Sequence, residues 1–203
     1  MKTRFLDLAG RIKLLTPEKK FEELKNSYFV PLRQYHNHNH VMECLKDFDR
    51  VKKHTQSPDL LEFAIFYHDA IYNTRSKTNE EDSANMALRH LSQSGLEFYE
   101  IETVDNLILA TKHVQTPRDM SSKLIVDIDL AILGKDQETF DRYEWGIRHE
   151  YSWVSPNDFK IGRAQILQGF LDRDHIYNTQ FFQGLYEAQA QENLKRSITK
   201  LAA

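Results

Sequence analysis

A histidine and an aspartate stand side by side in YHDAIYNT, residues 67–74, directly after an apolar run. Burying either side chain without a polar partner costs free energy. His68 shares a helical stripe with Leu61 and Ile65, so we expect it to face inward. Neutral imidazole and carboxylate are good ligands for first-row metal ions, so a divalent cation would explain both His68 and Asp69.

Three further histidines lie within YHNHNH, residues 35–40. On a helix His36 and His40 share one face, because they are four positions apart, while His38 points elsewhere and is expected to be exposed. A solvated helix start would explain the cluster without any ligand. Clustered histidines are a compositional hint of metal binding, and the sequence leaves His36 and His40 both open as ligands.

Two aspartates interrupt the otherwise apolar segment IVDIDLAILG, residues 125–134. Helix capping explains one acidic residue more easily than both. Positions 127 and 129 point about 200° apart on a helix, so only one of Asp127 and Asp129 is expected to be a ligand. Asp127 is the preferred candidate because it lies nearer the start of the segment.

The elements that must position these residues show helical spacing. Apolar residues three and four positions apart predict a helix through Val41, Cys44, Leu45, Phe48 and Val51. Ser57-Pro58-Asp59 is typical of the start of the helix that leads to His68. Further helical patterns cover residues 80–93, 101–111, 124–133, 140–151, 157–172 and 179–198. We therefore predict an all-α single domain of roughly eight to ten helices.

Composition narrows the possible partners. The 203 residues carry a formal net charge of −3, so no strong basic surface for nucleic acid or an anionic membrane is expected. The single cysteine, Cys44, forms no intrachain disulfide and is expected to be a small core residue. No run approaches the roughly 20 apolar residues of a membrane span. We expect a cytoplasmic protein.

The order of these features resembles the HD superfamily of metal-dependent phosphohydrolases, whose ligands are His, His-Asp and a distant Asp. Nine segments follow one another as in a bacterial subgroup of predicted HD phosphohydrolases: PLRQYHNHNH, FYHDAIYN, NEEDSA, LATKHV, VDIDLAILG, IRHEY, GRAQIL, FLDRDHIYNT and AQENL. The resemblance covers residues 28–194. It implies one HD-type helical domain across residues 1–203.

The resemblance also implies a ligand set and a reaction. The metal candidates are His36 or His40, then His68 and Asp69, then Asp127 or Asp129. Manganese, iron, nickel, cobalt and magnesium are all conceivable. The expected reaction is attack of an activated water on a nucleotide or another small phosphate ester.

Other residues are candidates for supporting roles. Glu80 is a candidate to orient a ligand or a water, beside His68 and Asp69 as the catalytic pair. The candidates for substrate contact are Arg33, Lys112, His113 and Arg148. Arginine is favoured for phosphate because its guanidinium group binds phosphate in a bidentate way.

Two other functions fit the same pattern. The first is an HD-type di-iron oxygenase, which would need an extra histidine between the His-Asp pair and the last aspartate. His113 is plausible for that role, whereas His90 is expected to face solvent. The second is a non-catalytic module that binds a metal ion or a nucleotide.

Overall fold

The computed structural model describes residues 1–202 and confirms the all-α prediction. Over those residues it contains ten α-helices, two short 3₁₀ helices and no β-strand. The α-helices are α1 (Lys2–Arg11), α2 (Pro17–Tyr28), α3 (His38–Val51), α4 (Pro58–Tyr67), α5 (Asn79–Leu91), α6 (Phe98–Ala110), α7 (Met120–Asp129), α8 (Gln137–Glu150), α9 (Pro156–Leu171) and α10 (Gln180–Ala202). The 3₁₀ helices are Lys52–His54 and Leu130–Gly134.

The chain forms two compact units, which meet in sequence within α7. The first unit is Met1–Val126, and the second begins at Asp127. The first therefore contains α1 to α6 and most of α7. The second contains the end of α7 and the helices α8 to α10. The prediction of one domain came from the helical pattern along the chain, and its HD-type character from the resemblance; both stay predictions.

Helix α4 is the centre of the first unit. Pro58 occupies the first turn of α4, where a backbone N–H would have no partner within the helix, so proline loses no hydrogen bond there. Every residue of α4 from Leu60 to Tyr67 is buried. Helices α1, α3, α5 and α6 all pack against it. The sequence predicted one buried stripe, but α4 is buried on every side, as expected for a helix inside a protein whose faces are almost all apolar.

Glu62 is the one charged side chain within the buried part of α4. Two arginines of α1 bind its carboxylate: Arg4 through Nε, and Arg11 through Nη2 at 2.6 Å. Arg4 also pairs with Asp49 of α3 at 2.7 Å. These ion pairs hold α1 against α3 and α4, and they satisfy a charge that would be costly to bury alone.

The start of α3 is fixed by a side-chain cap. The Asn37 Oδ1 atom accepts a hydrogen bond from the Asn39 N–H at 2.8 Å. The same side chain donates through Nδ2 to the Arg33 carbonyl at 3.1 Å. This double use of Asn37 sets where the helix begins, and therefore which way His40 points.

In the second unit, α10 packs against α9 and against the 3₁₀ helix Leu130–Gly134. The contact is so close that a Cβ at Gly134 would lie 2.4 Å from Tyr186 Cβ. Asn193 of α10 donates to the Leu133 and Lys135 carbonyls, both at 2.9 Å. Glycine is therefore required at position 134 for close packing rather than for an unusual backbone angle.

Across residues 1–202, none of the helices has both the length and the apolar character that crossing a lipid bilayer requires.

Candidate metal centre

His68 and Asp69 lie where α4 ends. The His68 N–H completes the helix by donating to the Ala64 carbonyl at 2.9 Å. The ring nitrogen Nδ1 lies 2.9 Å from the Ile65 carbonyl, so Nδ1–H is the donor there. This hydrogen bond fixes the tautomer and leaves the Nε2 lone pair for another partner.

His40 reaches the same point from the first turn of α3. Its Nε2 atom lies 3.0 Å from His68 Nε2, and the two residues are only 5 % and 2 % exposed. The Oδ2 atom of Asp69 lies 3.4 Å from His40 Nε2 and 3.3 Å from His68 Nε2. Three donor atoms from the ends of two helices therefore surround one buried point.

The spacing of these donors fits a shared transition-metal ion. Ligand atoms about 2.0–2.2 Å from one ion lie ~3.0 Å apart at a right angle and ~3.4 Å apart at the tetrahedral angle. The observed separations of 3.0, 3.3 and 3.4 Å fall on those values. The residues thus fit the divalent cation that the sequence led us to expect.

Asp69 is suited electrostatically to a ligand role. Its side chain is 16 % exposed, and burial opposes its ionisation. The imidazoles of His68, His36 and His40 outweigh that effect and hold the pKa of the Asp69 carboxyl below its usual range. The carboxylate is therefore ionised at neutral pH.

Cys44 also lies in this group. The ligand atoms of His40, Cys44 and His68 are within 4.8 Å of one another, so this buried set could hold a metal ion. Its Sγ atom lies 3.7 Å from His40 Nε2 and 3.8 Å from His40 Nδ1. Nearly equal distances to both ring nitrogens place Sγ off the Nε2 lone-pair axis. The sequence correctly predicted a buried Cys44, but its four-residue spacing from His40 was overlooked.

The structure separates the two histidines that the sequence left open. His40 faces His68, whereas the His36 ring stacks on Tyr72 with centroids 4.0 Å apart and an angle of 23°. His36 still contributes to the field around Asp69. The His38 ring stacks instead on the Phe29 ring, at a centroid distance of 4.6 Å.

Asp127, the preferred ligand candidate from the sequence, is buried and hydrogen-bonded to the residues that precede α10. In the second unit its two carboxylate oxygens accept four hydrogen bonds, from the backbone and side chains of Asn178 and Thr179, at 2.6–2.9 Å. A carboxylate has about four lone-pair sites, so these donors occupy all of them. Asp127 thus anchors the residues just before α10, and Asp129, at the end of α7, is half-buried.

The two arginines predicted to contact phosphate bind backbone carbonyls. Arg33 donates from Nη1 to the Asp69 carbonyl at 2.8 Å. Arg148 donates from Nη1 to the Tyr151 carbonyl at 2.8 Å and holds the turn that follows α8. Hydrogen bonds of this kind leave no trace in residue spacing, so the sequence gave no signal for either.

The remaining candidates lie at the ends of α5 and α6. Glu80 is half-buried, and burial, with a smaller contribution from Asp69, raises the pKa of its carboxyl. Lys112 forms an ion pair with Glu81. His113 follows with φ of 57°, a left-handed conformation that is uncommon outside glycine.

The expectation that His90 faces solvent is wrong. His90 is 5 % exposed. Its Nδ1 atom accepts from the Tyr67 hydroxyl at 2.7 Å, and its Nε2–H donates to Glu23 at 3.0 Å. Both ring nitrogens are therefore used within a Tyr67–His90–Glu23 chain.

Comparisons with protein-family models, with curated protein sequences and with solved structures found no match. The resemblance to the HD superfamily stays a prediction, and a functional proposal has to be argued from the geometry of this site.

Proposed function

We propose that this chain is a metal-dependent phosphohydrolase of the HD type, acting on a nucleotide or another small phosphate ester. The observation that carries the proposal is the convergence of His40, His68 and Asp69 on one buried point with ligand spacing. Two imidazoles suit manganese, iron, cobalt or nickel better than magnesium, which prefers oxygen ligands.

Asp129 is our proposal for the last ligand that the resemblance implies. The alternative, Asp127, has its lone pairs occupied by Asn178 and Thr179. When bound, the ion would lower the pKa of a water and polarise a phosphoryl oxygen.

Two acidic residues of the protein, Asp69 and Glu80, would have different roles in proton transfer. The Asp69 carboxylate is ionised, so it is suited to accept a hydrogen bond from the attacking water and to orient it. Glu80 has a raised pKa, because it is half-buried, and is suited to give a proton to the leaving oxygen. Lys112 and His113 remain our proposed substrate contacts, since Lys112 interacts electrostatically with both Glu80 and Glu81.

The setting is proposed on compositional grounds. The net charge of −3 and the single cysteine support a cytoplasmic enzyme with a small phosphorylated substrate and neither a nucleic acid polymer nor a membrane as partner.

A screen of nucleotides and other phosphate esters against several divalent metals, with elemental analysis of the purified protein, tests the proposal. Asp69→Ala should abolish metal-dependent phosphate release while the helical circular dichroism stays intact. Leu61→Ala is the matched control, since it should cost roughly 2–5 kcal/mol of stability by leaving a cavity where α4 packs against its neighbouring helices. Its folded fraction should still turn over substrate. Near wild-type hydrolysis by Asp69→Ala would disprove the assignment.

The results also distinguish the two alternative functions. Bound iron together with oxygen uptake would indicate a di-iron oxygenase. His90 does not suit the role of its extra histidine ligand, because Tyr67 and Glu23 occupy both of its ring nitrogens. Tight nucleotide binding without turnover would indicate a binding module.

A further inference from the structure

We propose that Arg33 is a positioning residue for the metal centre. Its guanidinium group fixes the backbone that presents Asp69 and the start of the helix that presents His40. The inference rests on the proposed function to the extent that it requires these residues to bind a metal ion.

The first contact is with the end of α4. Arg33 donates from Nη1 to the Asp69 carbonyl at 2.8 Å and from Nη2 to the Ala70 carbonyl at 3.1 Å. These carbonyls lie just beyond the helix, where no intrahelical donor reaches them. A planar guanidinium spans two neighbouring carbonyls with two donors, which a lysine ammonium cannot match with the same geometry. The direction of the Asp69 side chain follows from this constraint on its backbone.

Two aromatic rings hold the guanidinium plane in place. The Arg33 Cζ atom lies 5.5 Å from the Tyr28 ring centre and 5.6 Å from the Tyr72 ring centre. Cations at these distances from ring faces are attracted to them, more strongly when water is excluded. Arg33 is only 8 % exposed, so it is a fixed part of the interior.

The second contact is with the segment that leads into α3. Nη1 of Arg33 also lies within hydrogen-bond distance of the His36 carbonyl, at 3.4 Å. The Arg33 carbonyl accepts from Asn37, the residue that caps α3. The same arginine thus links the start of the His40 helix to the backbone of Asp69. The distance between these two ligands depends on it.

Metal affinity measures this role directly. Titration of the metal-free protein with Co²⁺ alone should give an affinity roughly 10–100-fold weaker for Arg33→Lys than for wild type, the loss typical of residues that orient ligands. Arg4→Lys is the matched control, because Arg4 joins the same two helices through Asp49 and Glu62, away from the ligands. It should lower the urea midpoint of unfolding and leave Co²⁺ affinity unchanged.

Chemical rescue separates positioning from general destabilisation. Methylguanidinium at millimolar concentration should restore Co²⁺ affinity to Arg33→Ala, because it can reoccupy the space beside the Tyr28 and Tyr72 rings, and should do nothing for Arg4→Ala. Equal Co²⁺ affinity of Arg33→Lys and wild type would overturn the inference. So would an equal loss of affinity in Arg4→Lys.

The proposed function and this inference fail in different ways. Wild-type protein that binds Co²⁺ but hydrolyses no ester would refute the phosphohydrolase proposal and leave the role of Arg33 intact. Wild-type protein that binds no Co²⁺ would refute both.

Discussion

The Nε2 atoms of His40 and His68 face each other across 3.0 Å, although the two histidines are 28 positions apart in sequence. His68 Nδ1–H is bound to the Ile65 carbonyl, so His68 Nε2 is an acceptor. An ion bound by both Nε2 atoms would replace the direct contact between the two rings, so metal binding requires both histidines.

His40→Ala should therefore remove metal binding, whereas His38→Ala should not. Isothermal titration with Co²⁺ and elemental analysis should give about one ion per wild-type chain. His40→Ala should lose more than the roughly 10–100-fold typical of outer-shell partners. His38 lies two positions before His40 in the first turn of α3, and its ring stacks on Phe29. The His38→Ala variant therefore controls for damage to this helix. Equal losses in the two variants would contradict the assignment.

Asp127→Ala should destabilise the protein. The change strips partners from the N–H groups of Asn178 and Thr179, at about 1–3 kcal/mol for each donor left unsatisfied. Urea unfolding of the metal-free protein measures the loss. Asp129→Asn should behave in the opposite way, with weaker Co²⁺ binding and an unchanged unfolding midpoint. A stable Asp127→Ala protein that had lost its metal would restore Asp127 as the ligand.

His90 should make stability depend on pH. Burial lowers its pKa, partly offset by Glu23, while Lys20 and Arg89 lower it further. A histidine with a lowered folded pKa binds protons more weakly when folded. The free energy of unfolding is therefore highest above the unfolded pKa of about 6.5 and falls as the pH drops below it. Urea midpoints measured with chelator between pH 8 and pH 5 should fall more steeply for wild type than for His90→Gln. Parallel curves would show that His90 does not contribute.

Cys44→Ala should keep the metal. Because Sγ stands nearly equidistant from the two ring nitrogens of His40, it is placed beside the imidazole and not along its lone pair. Co²⁺ affinity should change by less than about tenfold, or 1.4 kcal/mol. The near-ultraviolet spectrum should also be unchanged. A thiolate-to-cobalt band that disappears in Cys44→Ala would instead make Cys44 a ligand.

The sequence predicted local structure well because local rules decide it. Proline at position 58 starts α4, and three/four spacing predicted the buried face of α3. His68 was expected inward for the same reason. These features depend on neighbours within a turn or two, and those are visible in the sequence.

Choices between equivalent residues depended on distant partners. Asp127 and Asp129 differ because Asn178 and Thr179, about 50 positions further on, bind only the first. His90 was placed in solvent because nothing near it in sequence announces Tyr67 and Glu23. Partners of this kind are set by packing between helices, which periodicity within one helix does not record.

The burial of α4 on every side has a consequence for hydrogen exchange. Its amides lie beneath four other helices, so their exchange with solvent should require openings close to complete unfolding. The segment after it, residues 70–78, is outside any helix and should exchange through smaller, local openings. His68 and Asp69 therefore lie at a boundary in local stability. The His68 N–H, which is bound to the Ala64 carbonyl, should exchange slowly with α4, whereas Asp69 borders the segment that should open locally. Release of a bound ion should begin on the aspartate side.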